Sequence, residues 1–239
     1  MQRRKEEIKN NLVKVHQNIT RNKQPGQEVR LVCVSKNHPL SDILLANELG
    51  EKDFGENRVQ ELLEKQTAFA SLSEVERRKY DFKWHMIGRL QSNKVKDVVG
   101  LVDLIHSVDS LKLLDRIDQV SADRDVVSQV LLQVNISGEE SKQGFAVREL
   151  VQEIPTMLAF KHIKLRGLMT MAPMVSTDER EVVRAVFAQA KDLLLQLKAE
   201  LGPDFDQLSM GMTSDYDLAV VEGSTLVRIG TEIFGQRVY

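Results

Sequence analysis

Short β-branched apolar runs alternate with longer segments of helical periodicity along most of the chain. The first helical segment, to about residue 20, repeats its apolar positions every three or four residues, at Ile8, Leu12, Val15 and Ile19. The apolar runs predict eight strands, over residues 29–35, 52–54, 82–87, 103–107, 128–136, 164–169, 207–210 and 225–229. Helices are predicted between them, from Pro39 to Gly50 and over residues 57–69, 93–98, 110–120, 147–154, 178–200 and 214–221.

This alternation is typical of βαβ units and a parallel sheet. Eight such units in 239 residues match a (β/α)8 TIM barrel, which typically takes about 250 residues. We therefore predict a single α/β domain over residues 1–239, with an extra helix before the barrel. A doubly wound open sheet is the alternative fold. The turn after the first strand has no GxGxxG motif, which disfavours a dinucleotide-binding version of it.

Charge and composition exclude several classes of protein. The 33 Lys and Arg residues nearly balance 35 Asp and Glu, and aromatic residues make up only 5% of the chain. A nucleic-acid binder normally has a basic field or a stacking platform, so nucleic acid is not an expected partner. No apolar run is long enough to span a membrane, and the first residues lack a secretory signal. The single cysteine, Cys33, allows no intrachain disulfide, so we expect a cytoplasmic protein.

Lys36 is the sharpest single candidate for chemistry, because it directly follows the apolar strand over residues 29–35. Burial disfavours the charged form of a lysine and lowers its pKa. A partly neutral amine can form a Schiff base with an aldehyde. The alternative is a lysine whose stem packs on the barrel while its ammonium group reaches water at the rim.

Two glycine-containing segments predict an anion site. Ser209-Met210-Gly211 follows the seventh strand and Gly230-Thr231 follows the eighth, where barrel phosphate sites are commonly built. Glycines let backbone N–H groups approach an anion, and the hydroxyls add donors. Ordinary turn and cap chemistry is the alternative for either loop. Lys94, in a polar helix start, is a weaker candidate for a second anion contact.

Arg228 lies two residues before Gly230, so strand alternation places both on one face, and if that face meets the ligand, Arg228 points into the barrel. A buried arginine stays charged and needs a partner, and a structural ion pair is the plain alternative to a functional role. The five histidines show no metal-ligand spacing, so metal catalysis is disfavoured.

Seven motifs in this order resemble one family, the pyridoxal phosphate homeostasis (YggS/PROSC) proteins, from about residue 10 to 235. They are Val34-Ser35-Lys36, Phe54-Gly55-Glu56-Asn57, Trp84-His85-Met86-Ile87-Gly88, Leu90-Gln91-Ser92-Asn93-Lys94, Gly167-Leu168-Met169, Ser209-Met210-Gly211-Met212 and Val227-Arg228-Ile229-Gly230. The resemblance implies a fold-type III barrel like the N-terminal domain of alanine racemase. Two departures stand out: Asn37-His38 replaces a common Thr-Lys pair, and Arg89 stands where proline or a small residue is common.

The same resemblance implies that Lys36 carries pyridoxal 5′-phosphate (PLP) as an internal aldimine. It implies that the phosphate is held by Ser209, Gly211, Gly230 and Thr231 of the two glycine-containing loops, and that Met210 also belongs to the cofactor site. It places Asn57 and His85 beside the ring and Arg228 at the pyridine nitrogen.

We expect a PLP carrier without catalytic turnover. A cationic donor such as Arg228 disfavours protonation of the pyridine, which makes PLP a poor electron sink. Racemases of this fold take an opposite base, a tyrosine, from a second domain, for which this length leaves no residues. The expected partners are PLP and, transiently, apo forms of PLP-dependent enzymes. We expect the protein to be a monomer or a weak dimer. A fold-type III amino-acid racemase and a Schiff-base aldolase acting on a phosphorylated sugar are the alternatives.

Overall fold

Eight parallel strands close on themselves in the computed structural model, which describes residues 2–139, 142–173 and 179–236. They are β1 (Arg30–Val34), β2 (Asp53–Glu56), β3 (Lys83–Met86), β4 (Leu104–Val108), β5 (Ser128–Asn135), β7 (Ile163–Met169), β8 (Gln207–Ser209) and β9 (Leu226–Ile229). A two-residue strand, β6 (Phe145–Ala146), pairs with β5. The order β4-β3-β2-β1-β9-β8-β7-β5 is closed by pairing of β4 with β5. The predicted barrel is confirmed, and the open sheet is excluded.

The helices lie between the strands as predicted, with small differences. They are α1 (Gln2–Asn22), α2 (Leu40–Glu48), α3 (Val59–Ala70), α4 (Glu74–Arg77), α5 (Leu111–Asp123), α6 (Val147–Met157), α7 (Arg180–Leu201), α8 (Tyr216–Val221) and α9 (Thr231–Phe234). The helix predicted over residues 93–98 is a 3-10 helix over residues 92–97. The four-residue helices α4 and α9 and the strand β6 were missed, because such short elements show no period. The predicted start of α7 at residue 178 lies outside the described residues.

The helix α1 covers the outer wall of the barrel beside β1 and β9. Its four predicted apolar residues are buried and pack with β1, β9, α8 and α9 in one cluster. Each such aliphatic side chain contributes roughly 1.5–3 kcal/mol when fully buried. Two hydrogen bonds fasten the helix to the other end of the chain: Arg4 Nη2 donates to Phe234 O at 2.8 Å, and Asn11 Nδ2 donates to Ile233 O at 2.9 Å.

Strand alternation decides which side chains enter the barrel. Leu31 and Cys33 of β1 belong to the outer cluster with α1, as do Val227 and Ile229 of β9. The residues between them therefore face the interior, and Arg228 points inward as predicted. Among the described residues, no helix is long and apolar enough to cross a membrane.

Candidate functional site

Four neighbouring strands bring most of the predicted site residues to one edge of the barrel. Val34 and Gly55 are ladder partners, so Lys36 and Asn57, each two residues further on, leave β1 and β2 at the same level. On the other side of β1, a Cβ atom built on Gly230 would lie 2.9 Å from Val34 O. The end of β9 therefore touches the strand that carries Lys36. Lys36 itself is partly buried at this rim.

The loop after β8 packs directly on α8. Gly211 has φ of +89°, and a Cβ atom there would lie 2.5 Å from Ala219 Cβ. Only glycine fits such a position without displacing the helix. The amide N–H of Met210 donates to Leu226 O at 3.1 Å, and that of Met212 donates to Asp215 Oδ1 at 2.6 Å. These amides already have partners, so an anion at this loop would have to compete for them.

Ser209 lies below this rim rather than on it. Its side chain is fully buried, and its hydroxyl contacts Arg228 Nη1 at 2.6 Å and His106 Nδ1 at 2.9 Å. Thr231, in contrast, is exposed at the first turn of α9. The two hydroxyls predicted for the phosphate therefore occupy different environments, and Thr231 is the accessible one.

A chain of buried hydrogen bonds continues from Ser209 through the barrel. His106 Nε2 lies 2.9 Å from His85 Nδ1, and His85 Nε2 lies 2.8 Å from Asp53 Oδ1. Asp53 begins β2, and Arg30, which begins β1, lies 3.7 Å from the same carboxylate oxygen. The chain therefore runs from Arg228 to the opposite, N-terminal end of the strands.

The donors in this chain point in one direction. A guanidinium can only donate, so Ser209 accepts from Arg228 and is able to donate its own proton to His106 Nδ1. His106 then donates from Nε2 to His85, and His85 donates from Nε2 to Asp53. This assignment satisfies every group with both imidazoles neutral. A second proton on His85 would force His106 and Arg228 to donate to the same oxygen of Ser209.

The electrostatics favour a neutral His106. Burial lowers its pKa well below the ordinary value of 6.5, and positive charge at His85, Arg228 and Arg30 acts in the same direction. Burial alone would raise the pKa of Asp53, but the hydrogen bond from His85 and positive charge at His85 and Arg30 outweigh it, and the pKa falls. Burial also lowers the pKa of Arg228 from its ordinary value to about 10, which still leaves it charged at neutral pH.

Arg228 finds hydrogen-bond acceptors rather than a carboxylate. Its Nη2 donates to Thr170 O at 3.1 Å, and Nη1 donates to Ser209. In the described part of the chain no carboxylate lies within 4.0 Å of the guanidinium. The ion pair considered from the sequence is therefore not found among these residues, and the charge of Arg228 is held in place without being neutralised by direct contact.

His85 is 1% exposed, and both of its ring nitrogens are used within the barrel. Its ladder partner is Gly55, two residues below Asn57 on β2. The structure therefore places His85 one step beneath the rim, where it positions neighbouring side chains. Its predicted place beside the cofactor ring stays a prediction.

A buried ion cluster holds both neighbours of Lys36. Lys65 of α3 donates to Ser35 O at 2.7 Å and pairs with Glu56 at 2.6 Å and Glu61 at 2.9 Å. Ser35 Oγ donates to Glu56 at 2.6 Å, and the amide of Asn37 donates to Glu61. Asn37 has φ of +62°, in the left-handed region. The cluster thus fixes a tight turn at the residues on either side of Lys36.

Sequence reasoning missed this cluster and most of the internal chain. Asp53 and His106 face the interior at alternate positions of their strands, a signal that was available. Lys65 and Glu56 offered none, because they meet across a helix face and the outer side of a strand. Burial raises the pKa of Glu56 against the opposing effect of Lys65, and Glu56 Oε2 has no hydrogen-bond partner among the described residues.

Neither of the two described tyrosines lies at the rim. Tyr216 is buried in the outer cluster with α1, and its hydroxyl contacts Asn18 at 2.9 Å and Glu232 at 3.3 Å. The Tyr80 hydroxyl lies 3.3 Å from Glu48, before β3 begins. Tyr239 is outside the described residues.

The comparisons with known proteins agree on one family. The model of the alanine racemase N-terminal domain matches residues 6–238. The pyridoxal phosphate homeostasis protein of Aquifex aeolicus is 40% identical over 210 residues, 88% of each chain. That of Escherichia coli K12 is 38% identical over 241 residues, 98% of each chain.

Solved structures support the same relationship. PipY of Synechococcus elongatus without PLP superposes with a TM-score of 0.84 at 37% identity, over 95% of this chain and 100% of that one. A second structure of that protein, described as having PLP bound, superposes with a TM-score of 0.81. Alanine racemase of Clostridium difficile shares the fold, with a TM-score of 0.71 at 15% identity over 97% of this chain and 60% of that one. The resemblance seen in the sequence motifs is confirmed, and the chain belongs to the pyridoxal phosphate homeostasis protein family.

Proposed function

We propose that this protein binds PLP through a Schiff base with Lys36 and serves PLP homeostasis without catalytic turnover. The observation that carries the proposal is the position of Lys36. It leaves β1 between Asn57 of β2 and Gly230 of β9, and buried contacts hold both of its sequence neighbours. PipY, a 37% identical relative, has been solved with PLP bound.

The residues present fit the cofactor. Loops with close backbone packing at Gly211 and Gly230, and the exposed hydroxyl of Thr231, would hold the phosphate. Asn57 lies at the level of Lys36 and would contact the ring. Arg228 would face the pyridine nitrogen from within the barrel. Ser209, Met210 and His85 would then support these groups from below, because their polar atoms are already engaged.

Two features support the proposal that no turnover occurs, namely the charge of Arg228 and the position of Tyr216. Powerful PLP catalysis uses a protonated pyridine as an electron sink. A guanidinium with a pKa of about 10 is a fixed cation at neutral pH, and a second positive charge beside it is disfavoured. Tyr216, with its hydroxyl held by Asn18 and Glu232, supplies no base at the rim. We propose that the bound cofactor is held reversibly in the cytoplasm and passed transiently to apo enzymes by a monomer or weak dimer.

The decisive experiment is an absorbance spectrum of the purified protein with added PLP, followed by borohydride reduction and peptide mapping. The wild type should show the absorbance of a Schiff base, and reduction should label Lys36. Lys36→Ala should lose both signals, whereas Lys112→Ala, a change at an exposed lysine of α5, should keep them. A wild type that stays colourless with added PLP would overturn the proposal.

Turnover is tested separately by incubating the loaded protein with single enantiomers of amino acids. We expect no racemisation beyond that of free PLP. Robust racemisation that is lost in Lys36→Ala would instead establish the racemase alternative. An aldolase would be trapped by borohydride with its sugar substrate in the absence of PLP.

A further inference from the structure

A cleft of about 330 Å³ opens beside Asn57 at the rim of the barrel. It is lined by Asn57, Arg58, Val59, Gln60, Arg89, Gln91 and Lys94. Three of these side chains are cationic and none is acidic. The volume is at the lower end of the range for small-molecule sites, about 300–1,000 Å³.

The backbone itself brings the two arginines together. A Cβ atom on Gly88 would lie 2.2 Å from Asn57 O and 2.7 Å from Asn57 Cα. The loops after β2 and β3 are therefore in direct contact at Asn57 and Gly88, and Arg58 and Arg89 are the next residue of each loop. Ser107 Oγ donates to Gly88 O at 2.6 Å and fixes the second loop from β4. The pair of arginines is thus a consequence of the fold.

Few counter-charges reach the cleft from the residues that the structure describes. In the described part of the chain, the one ion pair made by these three cations joins Lys94 Nζ to Asp97 at 3.8 Å. Arg89 is oriented by a neutral group, the side-chain amide of Gln143. When this amide is turned so that its oxygen faces the guanidinium, the oxygen accepts from Arg89 Nη1 at 2.8 Å and from Nε at 3.1 Å. Such an acceptor holds the guanidinium without cancelling its charge.

The start of α3 adds to the positive potential. Val59 and Gln60, the first two residues of this 12-residue helix, line the cleft, and the preceding Arg58 makes no side-chain cap. Amides of a first helical turn have no partner within the helix and favour an anion. The helix end is a secondary contribution here, since the arginines define the site.

We propose that this cleft binds a dianionic phosphate monoester and serves as an outer docking site for the phosphate of PLP on its way to or from Lys36. Guanidinium groups match phosphate oxygens with paired hydrogen bonds, and an ammonium group adds a point charge. The cleft shares Asn57 with the rim, and it lies across β1 from the phosphate loops after β8 and β9. The choice of PLP as the source of the phosphate rests on the proposed function.

The first test uses the Lys36→Ala chain, in which no Schiff base forms at that residue, and inorganic phosphate as the probe. Residue-resolved NMR titration should shift amides of residues 57–60 and 88–94. Arg58→Gln/Arg89→Gln should weaken this binding about tenfold or more, because charge-assisted hydrogen bonds are lost. Arg77→Gln, at an exposed arginine of α4, should leave it unchanged. Shifts confined to the loops after β8 and β9, or an unchanged affinity in the double variant, would overturn the site.

The second test compares PLP with pyridoxal, which has no phosphate, in chains that keep Lys36. Arg58→Gln/Arg89→Gln should slow Schiff-base formation with PLP about 3- to 10-fold at low salt, and high salt should abolish the difference. Pyridoxal should react equally fast with both chains, and equal slowing of the two aldehydes would contradict a phosphate-docking role. If the wild-type chain, with Lys36 in place, formed no Schiff base with added PLP but still bound phosphate in the cleft, the proposed function and the assignment to PLP would be overturned, but not the anion site.

Discussion

Nη1 of Arg228 donates a 2.6 Å hydrogen bond to Ser209 Oγ, and this contact joins the guanidinium to a chain that ends at Asp53. A hydroxyl and a carbonyl, rather than a carboxylate, hold the arginine. The positive charge is therefore fixed in position yet remains available to whatever lies above it.

Ser209→Ala should remove the hydroxyl that connects Arg228 to His106. The buried Nη1 of Arg228 and Nδ1 of His106 would each lose a partner, which costs about 1–3 kcal/mol per unsatisfied group. Urea denaturation should show a fall in the free energy of unfolding in this range or above it. Ser71→Ala, at an exposed position, should change it by about 0.5 kcal/mol or less. Equal stability of the two variants would show that the buried hydrogen bonds of Ser209 contribute nothing to the free energy of unfolding.

His106→Gln should flatten the dependence of stability on acid pH. The native pKa of His106 lies well below the unfolded value near 6.5, so the unfolded state takes up the proton first as the pH falls. The native state therefore has its full stability above about pH 6.5 and loses up to about 1.4 kcal/mol per pH unit below it through this residue. Urea denaturation at several pH values should show a smaller slope in the variant. An unchanged slope would mean that His106 takes up its proton as readily in the native state as in the unfolded state.

Lys65→Met should destabilise the protein by about 3–5 kcal/mol, because it leaves the fully buried Glu56 without its counter-charge. Adding Glu56→Gln removes the stranded charge and should restore at least half of the loss. The free energies of unfolding of the two single variants and the double variant form the required cycle. Additive effects of the two changes would contradict a coupled pair.

The same cycle also tests the positioning of Lys36. If the cluster holds residues 35 and 37 in place, Lys65→Met should weaken PLP binding while Lys36 itself is intact. Spectral titration with PLP, at a temperature where the variant is folded, measures this loss. Unchanged affinity would limit the cluster to a role in stability.

Gly211→Ala should lower the melting temperature more than Gly138→Ala. Both glycines have positive φ, +89° and +70°, so both substitutions carry backbone strain of about 1 kcal/mol or more. At Gly211 the new Cβ atom would also collide with Ala219 Cβ at 2.5 Å, whereas no atom of the described residues lies within 4 Å of a Cβ built on Gly138. Equal decreases in melting temperature would show that α8 moves away from the new Cβ atom with no loss of stability.

Local patterns predicted those parts of this protein that depend on a single element. The period of three to four residues identified the buried face of α1, and alternation on β9 identified Arg228 as inward-facing. The contacts of the internal chain join residues 19 to 103 positions apart, such as Arg228 with Ser209 and His106 with Ser209. Alternation shows that each faces the interior, but the stagger of the strands decides which of them touch.

The candidate site follows the same division. Lys36, Asn57 and Gly230 gather at one edge because parallel strands end there, which sequence order alone predicts. The sequence alone does not predict the hydrogen bonds of Met210, because they depend on the pairing of β8 with β9. Arg58 and Arg89 met through the close contact of Asn57 with Gly88, which only the folded backbone reveals.

The two hydrogen bonds from α1 to residues 233 and 234 span 222 and 230 positions of the chain. Strand β1 likewise pairs with β9, the last strand. Contacts of such high sequence separation form late, because closing a long loop costs conformational entropy before any contact repays it. During synthesis α1 and β1 cannot make these contacts until β9 has been synthesised, so the barrel cannot close before then. Since Lys36 and Gly230 lie on opposite sides of that final junction, ligand-binding competence should appear last in folding, together with closure of the barrel.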